Sequence, residues 1–239
     1  MRQSARKFRT EQKFYLHLHD YAVLQRRVAA LLPMDRHSIG VDGYNIRSVY
    51  FDGPQDHALH DKNNGVFKRD KYRIRTYNGS DSVISVERKS KFGDFVNKES
   101  ARISRVDYDA ILSGNYDGLA DREELLLREF YSALAHRAFR PTAIVDYWRE
   151  AYVYEFGNVR ITFDKKLSAG TNSMDVFDPN LVLEEAIMVP QTILEIKFDS
   201  FLPDHIRKVV RPDHHIRSSI SKYVICREVN LKHFKEWKA

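Results

Sequence analysis

Apolar and polar residues alternate with a period of two along eight stretches of the chain: residues 11–18, 44–51, 69–77, 82–89, 94–103, 142–154, 158–164 and 191–199. Such alternation puts successive side chains on opposite faces of a pleated strand. β-Branched and aromatic residues enrich the same stretches, so each predicts a β-strand. Apolar residues at helical spacing predict helices over about 20–32 (Leu24, Val28, Leu31), 105–113, 121–138 (Leu125, Leu126, Phe130, Leu134), 203–211 and 219–227. Pro33, Gly114 and Pro141 stand where helices should stop. Asn-Gly-Ser-Asp at 78–81 and Phe-Gly-Asn at 156–158 have the chemistry of hairpin turns, which predicts a largely antiparallel sheet. No fixed-period repeat and no Pro-, Gly- or Ser-rich linker divides the chain, and residues 1–239 are therefore expected to form a single domain.

The polar faces of these strands are charged. In RDKYRIRTYN, residues 69–78, Arg69, Lys71, Arg73 and Arg75 share one face, with neighbours roughly 7 Å apart. Each adjacent pair repels by about 0.6 kcal/mol in water, and by about 2.4 kcal/mol at an effective dielectric of about 20. Such a face either lies open to water, as on an edge strand kept soluble by Lys and Arg, or receives an anion. Glu-x-Lys recurs on three strands, as Glu11 and Lys13, Glu87 and Lys89, and Glu195 and Lys197. Ile84 and Val86 back the second copy, and Leu194, Ile196 and Phe198 back the third. Arg160, Thr162 and Asp164 lie opposite Val159, Ile161 and Phe163, and Tyr147 shares a face with Arg149.

An open sheet with one wet face and a closed barrel with a charged lumen both satisfy this pattern. The dominance of Arg and Lys, with single glutamates at matched positions, favours a polyanion site over a solvated sheet. Each glutamate can neutralise a lysine or hold a divalent cation, and the surplus cations suit phosphate oxygens.

Composition narrows the partners without choosing among them. The chain has 239 residues, 43% of them hydrophobic, enough for a sizeable core. A net charge of +6 and a pI near 9.2 suit nucleic acid, an anionic membrane or a polyphosphorylated small molecule. The lone Cys226 excludes an internal disulfide and a multi-cysteine zinc site, which fits a reducing compartment. No stretch approaches the roughly 18 apolar residues of a membrane span, and MRQSARKFRTEQK lacks the apolar run of a signal peptide, so the cytoplasm is expected. P-loop, dinucleotide-binding, HExxH and GxSxG motifs are absent.

Several residues have plain structural readings. His57 and His60 sit among Gly, Asn and Asp and read as a solvated loop without a third metal ligand, as do His214 and His215. Tyr50 and Phe51 read as core or barrel wall. Arg160 with Asp164 reads equally as a surface ion pair, and Glu87 equally as a screen for Lys89.

Eight motifs, in order, resemble one family: RTEQKF, YNIRSVYFD, RDKYRIRTY, SVERKSKFGDFVNKE, PTAIVDYWREAY, VRITFDKKL, ILEIKFDSFLP and SISKY. Together they resemble the VTC (vacuolar transporter chaperone) domain of polyphosphate polymerases, a branch of the triphosphate tunnel metalloenzymes, over about residues 7–227. The resemblance implies an α+β fold: an eight-stranded antiparallel barrel with helices packed outside and a tunnel that binds a nucleoside triphosphate or phosphate chain with Mg²⁺ or Mn²⁺. It implies that Lys13, Arg73, Arg75, Lys89 and Glu195 carry the chemistry. Lys98, Arg149, Arg160 and Lys197 would hold phosphates with them, Tyr147 would sit beside these cations, and Lys222 would close on the phosphates from the C-terminal helix. Glu195 would be the principal metal ligand, with Glu11 and Glu87 as further candidates for metal or for orienting lysines.

Two departures from the family pattern matter. The wider superfamily's Glu-x-Glu-x-Lys is here Arg9-Thr10-Glu11-Gln12-Lys13, which resembles the polymerase branch and speaks against a two-metal hydrolase. Ser100 stands where a second basic residue after Lys98 would be expected. The regulatory and membrane-spanning segments of the eukaryotic relatives are also missing, so coupling to a membrane would need a partner protein.

The implied partners are ATP and inorganic polyphosphate, and the implied reaction is metal-dependent transfer of a γ-phosphate onto a growing chain. Two rivals use the same lumen: a tripolyphosphate or nucleoside triphosphate hydrolase, and a binding module without turnover. Nucleic acid is not expected, because no recognition-helix motif is present and the aromatic residues follow strand periodicity.

Overall fold

The structure, a computed structural model, describes residues 9–93, 95–211 and 216–236. The predicted strands are present as β1 (Arg9–His17), β2 (Tyr44–Asp52), β3 (Lys68–Tyr77), β4 (Ser80–Phe92), β5 (Phe95–Ile103), β6 (Arg140–Tyr154), β7 (Val159–Gly170) and β9 (Gln191–Phe198). A three-residue strand, β8 (Leu183–Glu185), joins the edge of β7. Hydrogen bonding runs β6-β2-β3-β4-β5-β1-β9-β7, and a β6–β7 pairing returns to the start. Eight strands, all antiparallel to their neighbours, therefore close a barrel and leave no edge among themselves.

The helices are α1 (Leu18–Ala29), α2 (His57–Asn63), α3 (Arg105–Leu112), α4 (Leu125–His136), α5 (Asp204–Val210) and α6 (Lys222–Glu236). The outward apolar faces of the strands dictate where most of them pack. Ile74, Val86, Ile84 and Phe51 meet Tyr108 of α3 and Leu127, Phe130 and Leu134 of α4. Leu194, Ile196, Ile161 and Phe163 meet Leu24 and Val28 of α1 and Ile206 and Val210 of α5. α6 differs: its Tyr223 and Val224 pack with Ala143, Val145, Leu167, Ala169 and Ile193, so its first turns stop one end of the barrel.

Two local features set the lumen's geometry. Asn78 and Gly79 both have positive φ, 55° and 65°, the backbone of a two-residue hairpin whose twist matches the strands it joins, and this fixes the β3–β4 register. Gly43 (φ +84°) lies so close to β6 that a Cβ would fall 2.0 Å from the Arg149 carbonyl oxygen. Only glycine allows β2 to approach there, beside a lumen arginine.

Several boundaries differ from the sequence expectation. His57 and His60 lie in helix α2, not a loop, because buried Asp52 accepts hydrogen bonds from the Gly53 and Ala58 amides and so organises that turn. α4 starts at Leu125 and not at 121. β7 runs on to Gly170 because an irregularity in the β6–β7 register and a positive φ at Lys166 absorb a break in its alternation. α6 starts at Lys222 and extends past 227 to Glu236, while the chain before it lies extended, with the Ser218 amide donating to the Lys13 carbonyl. Asp94, His214 and His215 lie outside the described residues. No helix among the described residues is long and apolar enough to cross a membrane.

Candidate functional site

The lumen encloses a cavity of about 1300 Å³, larger than the roughly 300–1,000 Å³ of ordinary ligand pockets. Among the described residues, sixteen Lys and Arg side chains line it against four Asp and Glu. Of the residues singled out in the sequence, Glu11, Lys13, Arg73, Arg75, Lys89, Lys98, Tyr147, Arg149, Arg160, Glu195, Lys197 and Lys222 all border it. Glu87 is on the same face but buried beneath Arg73, Arg75 and Lys98.

Strand register explains how the charges meet. β1 and β9 each carry Glu-x-Lys and run antiparallel, so Glu11 lies directly across from Lys197, and Lys13 directly across from Glu195. The Lys13 Nζ is 3.2 Å from Glu195 Oε1 and 3.5 Å from Glu11 Oε2, and the Lys197 Nζ is 2.7 Å from Glu195 Oε2. From α6, Lys222 reaches Glu195 Oε1 at 2.7 Å and Asp164 Oδ2 at 2.5 Å. Asp164 also accepts two bonds from Arg149, directly opposite on β6, at 2.7 and 2.8 Å. Burial opposes the charged form of Glu195, yet Lys13, Lys197, Lys222 and Arg149 together hold its carboxyl well below the usual range. The Arg149 guanidinium and the Lys222 ammonium both lie over the ring of Tyr147, at 5.3 and 5.0 Å from its centroid.

Across the lumen, Glu87 lies directly opposite Arg73 and accepts from its Nε (2.8 Å) and Nη2 (2.5 Å). The Lys98 Nζ takes the other oxygen at 2.9 Å. Glu87 thus screens Arg73 and Lys98, whereas Lys89 turns to Glu11, 2.8 Å away. Glu87 does not screen Lys89 because the β3–β4 register sets Arg73 directly across from Glu87, and Arg73 and Lys98 take both of its oxygens. Arg73 also donates to the Tyr50 hydroxyl, 2.7 Å away, which makes that wall residue part of the lumen's polar network. Arg75 is differently placed: its contacts with Ser48, Tyr147 and Glu87 measure 3.4, 3.5 and 3.5 Å, all beyond good hydrogen-bond length. At the rim away from α6, Arg160 donates to Tyr44 (2.8 Å) and pairs with Asp35. Arg160 and Asp164 do not pair with each other.

Lys71 carries a signal in the face pattern but none in the family motifs' site residues. It lies directly opposite Lys89, which lies directly opposite Lys98, giving a row of three lysines across β3, β4 and β5. Burial first, then the charges of Lys89, Lys13 and Arg69, push Lys71 down to about 7. Burial likewise brings Lys89 to about 7, against the pull of Glu11.

The carboxylates also bear on metal binding. Among the described residues no group of three His, Cys, Asp or Glu forms a cation cage. Glu195 and Glu11 are hard-oxygen donors that share Lys13 and Lys197. The buried Thr162 hydroxyl, directly across from Glu195, makes no hydrogen bond. This donor set fits a small divalent cation held by one or two carboxylates together with a substrate's phosphates.

A closed antiparallel barrel with a basic, glutamate-studded lumen is a fold of the triphosphate-tunnel kind. The chain belongs to the VTC domain family, whose profile matches residues 8–230. Among solved structures it is similar to a candidate adenylate cyclase from Vibrio parahaemolyticus, at 12% identity over 92% of this chain and 97% of that one, with a TM-score of 0.50. It also matches a Pyrococcus horikoshii protein (16% identity, 95% and 99% covered, TM-score 0.44). A third match is the Mimivirus capping enzyme triphosphatase (10% identity, 86% of each chain, TM-score 0.41). At 12% identity the first likeness bears on the fold alone, and nothing is built on the other two. No curated protein matches.

Proposed function

We propose that this protein is a polyphosphate polymerase that transfers the γ-phosphate of ATP to the end of an inorganic polyphosphate chain inside the barrel. The observation that carries this reading is the lining itself, sixteen cations to four anions around a cavity large enough for a nucleotide and a chain end. Phosphoryl transfer needs charge neutralised on the equatorial oxygens and the attacking and leaving oxygens held in line. Arg73, Arg75, Lys89 and Lys98 would hold the γ-phosphate from one wall, and Lys13, Lys197, Lys222, Arg149 and Arg160 would hold the remaining phosphates from the other. A terminal phosphate oxygen of the chain attacks the γ-phosphorus, the bond to the β–γ bridging oxygen breaks, and ADP leaves. No general base is needed, because the attacking oxygen is already anionic. Mg²⁺ or Mn²⁺, held by Glu195 with Glu11 beside it, would neutralise phosphate charge.

Incubation with ATP and Mn²⁺, followed by sizing of the phosphate products, tests this directly. Long chains are expected. Orthophosphate alone would replace the polymerase with a hydrolase, and tight binding without any product would leave a binding module.

Proton linkage supplies a second prediction. Lys71 faces Lys89 on β4, Lys13 on β1, Arg69 on β3, Asp52 on β2 and the Ser221 hydroxyl and Tyr223 ring on α6. A bound polyanion stabilises the charged forms of Lys71 and Lys89 and raises both from about 7. Long-chain polyphosphate, whose interior phosphates stay singly charged through this range, should therefore bind with proton uptake above about pH 7, and its affinity should fall as pH rises further. Calorimetry in buffers of different ionisation enthalpy should show uptake at about pH 8 and little at about pH 6. Equal uptake at both would contradict the assignment.

A further inference from the structure

Beside the first turn of α6 the cavity wall loses its counter-anions. In the lysine row, Lys98 has Glu87 at 2.9 Å and Lys89 has Glu11 at 2.8 Å, but Lys71 meets no carboxylate among the described residues. Its ammonium donates to the Ser221 hydroxyl at 3.0 Å and lies 4.8 Å from the centre of the Tyr223 ring. Two residues earlier on the same face, Arg69 donates, among the described residues, to the main-chain carbonyls of Asp61 and Lys62 at 3.4 and 3.3 Å. The Lys62 side chain borders the same end of the cavity. Like charges placed directly across a sheet destabilise it, and burial adds to the cost of Lys71. The sequence nevertheless sets Lys71 opposite Lys89 without a glutamate of its own.

We propose that Lys71, Arg69 and the Ser221 hydroxyl form a separate subsite for the phosphate units of an inorganic polyphosphate chain, beyond the belt that takes the nucleotide's triphosphate. The inference rests on the reading that the barrel holds polyphosphate, and adds where the chain runs. The Ser221 hydroxyl can rotate to donate to a phosphate oxygen once Lys71 turns to the same group. A nucleoside fits this end poorly, because the ring of Tyr223 is stacked on Tyr50 at 5.1 Å and covered by Lys71. The half-buried ring of Tyr77 and the exposed amide of Asn78 border the opposite rim instead. A long chain therefore spans both the charge-balanced belt and the Lys71 subsite, whereas a triphosphate is satisfied by the belt alone.

The test compares tripolyphosphate with long-chain polyphosphate, each titrated calorimetrically into the full chain without divalent metal, for wild type, Lys71→Gln and Lys71→Arg. Lys71→Gln removes a charge-assisted contact and is expected to weaken long-chain binding by about tenfold or more. Tripolyphosphate affinity should change by less than about twofold, and Lys71→Arg should restore the long-chain affinity. The glutamine variant should melt no lower than wild type, because it removes a partly buried cation that has no counter-anion among the described residues. Equal losses for both ligands, or no loss for either, would overturn the subsite while leaving the polyphosphate reading intact. A wild-type chain that binds neither ligand would overturn both.

Discussion

Glu195→Gln is expected to lower the melting temperature of the ligand-free protein by about 6–12 °C and to abolish metal-dependent phosphoryl transfer. The carboxylate is the common counter-anion of Lys222 (2.7 Å), Lys197 (2.7 Å), Lys13 (3.2 Å) and Arg149 (3.6 Å). Glutamine keeps the volume and removes the charge, leaving two buried cations, Arg149 and Lys222, and two partly buried ones, Lys13 and Lys197, to share Asp164 and Glu11. Breaking a buried pair from one side costs about 3 kcal/mol or more, and for a chain of this size each kcal/mol moves the melting temperature by about 2–4 °C. Saturating tripolyphosphate should recover the loss, because phosphate oxygens return the missing negative charge to the same ammonium groups. Metal should not recover it, since the donor that would hold the cation is gone. Thermal melts with and without tripolyphosphate, together with Mn²⁺ titration of product formation, check both halves. A variant with wild-type melting and full metal-dependent synthesis would remove Glu195 from the site.

The counter-anion role of Glu195 was only half legible in the sequence. Alternation placed Glu195 and Lys197 on one face and Arg69 to Arg75 on another, because period two is written in the residue order itself. Which glutamate meets which lysine depends on cross-strand register, and register depends on hairpins and closure. Glu-x-Lys on one strand suggests a pair within the strand, and Lys197 with Glu195 is one at 2.7 Å, but the antiparallel β1–β9 register adds the cross-strand pairs Lys13–Glu195 and Lys197–Glu11 at 3.2 and 3.5 Å. The same logic moved Glu87 from Lys89 to Arg73.

Helix α2 was illegible for a related reason. Its organiser, Asp52, closes the preceding strand and also accepts from the Tyr223 hydroxyl at 2.7 Å, a residue 171 positions away. Lys71 shows the converse. Its face was plain from the sequence, but its lack of a counter-anion appears only when the neighbouring strands are in place. Choosing a closed barrel over an open sheet likewise needed the long-range β2–β6 and β1–β9 pairings, which no local pattern encodes.

Arg73 and Arg75, two residues apart on one strand, are expected to fail in opposite ways when each is replaced by glutamine. Arg73 is committed in the empty lumen, with Glu87 at 2.8 and 2.5 Å and Tyr50 at 2.7 Å. Removing its charge leaves Glu87, itself buried, with Lys98 and a distant Arg75, so Arg73→Gln should cost stability on the order of 3 kcal/mol. Among the described residues, the Arg75 guanidinium has no polar side-chain contact shorter than 3.4 Å. Its five N–H donors are buried in the wall and largely unspent, the state of a fork waiting for phosphate oxygens. Arg75→Gln should therefore change stability by less than about 1 kcal/mol while weakening tripolyphosphate binding by about 100-fold, the loss of roughly two charge-assisted hydrogen bonds. Arg75→Lys should recover only part of that affinity, because an ammonium cannot reproduce the planar fork. Urea melts and calorimetric titration of the three variants separate the roles. If Arg75→Gln binds tripolyphosphate like wild type, or if it unfolds as readily as Arg73→Gln, then the long contacts of Arg75 do not mark a phosphate donor held in reserve, and the triphosphate belt must lie elsewhere in the lumen.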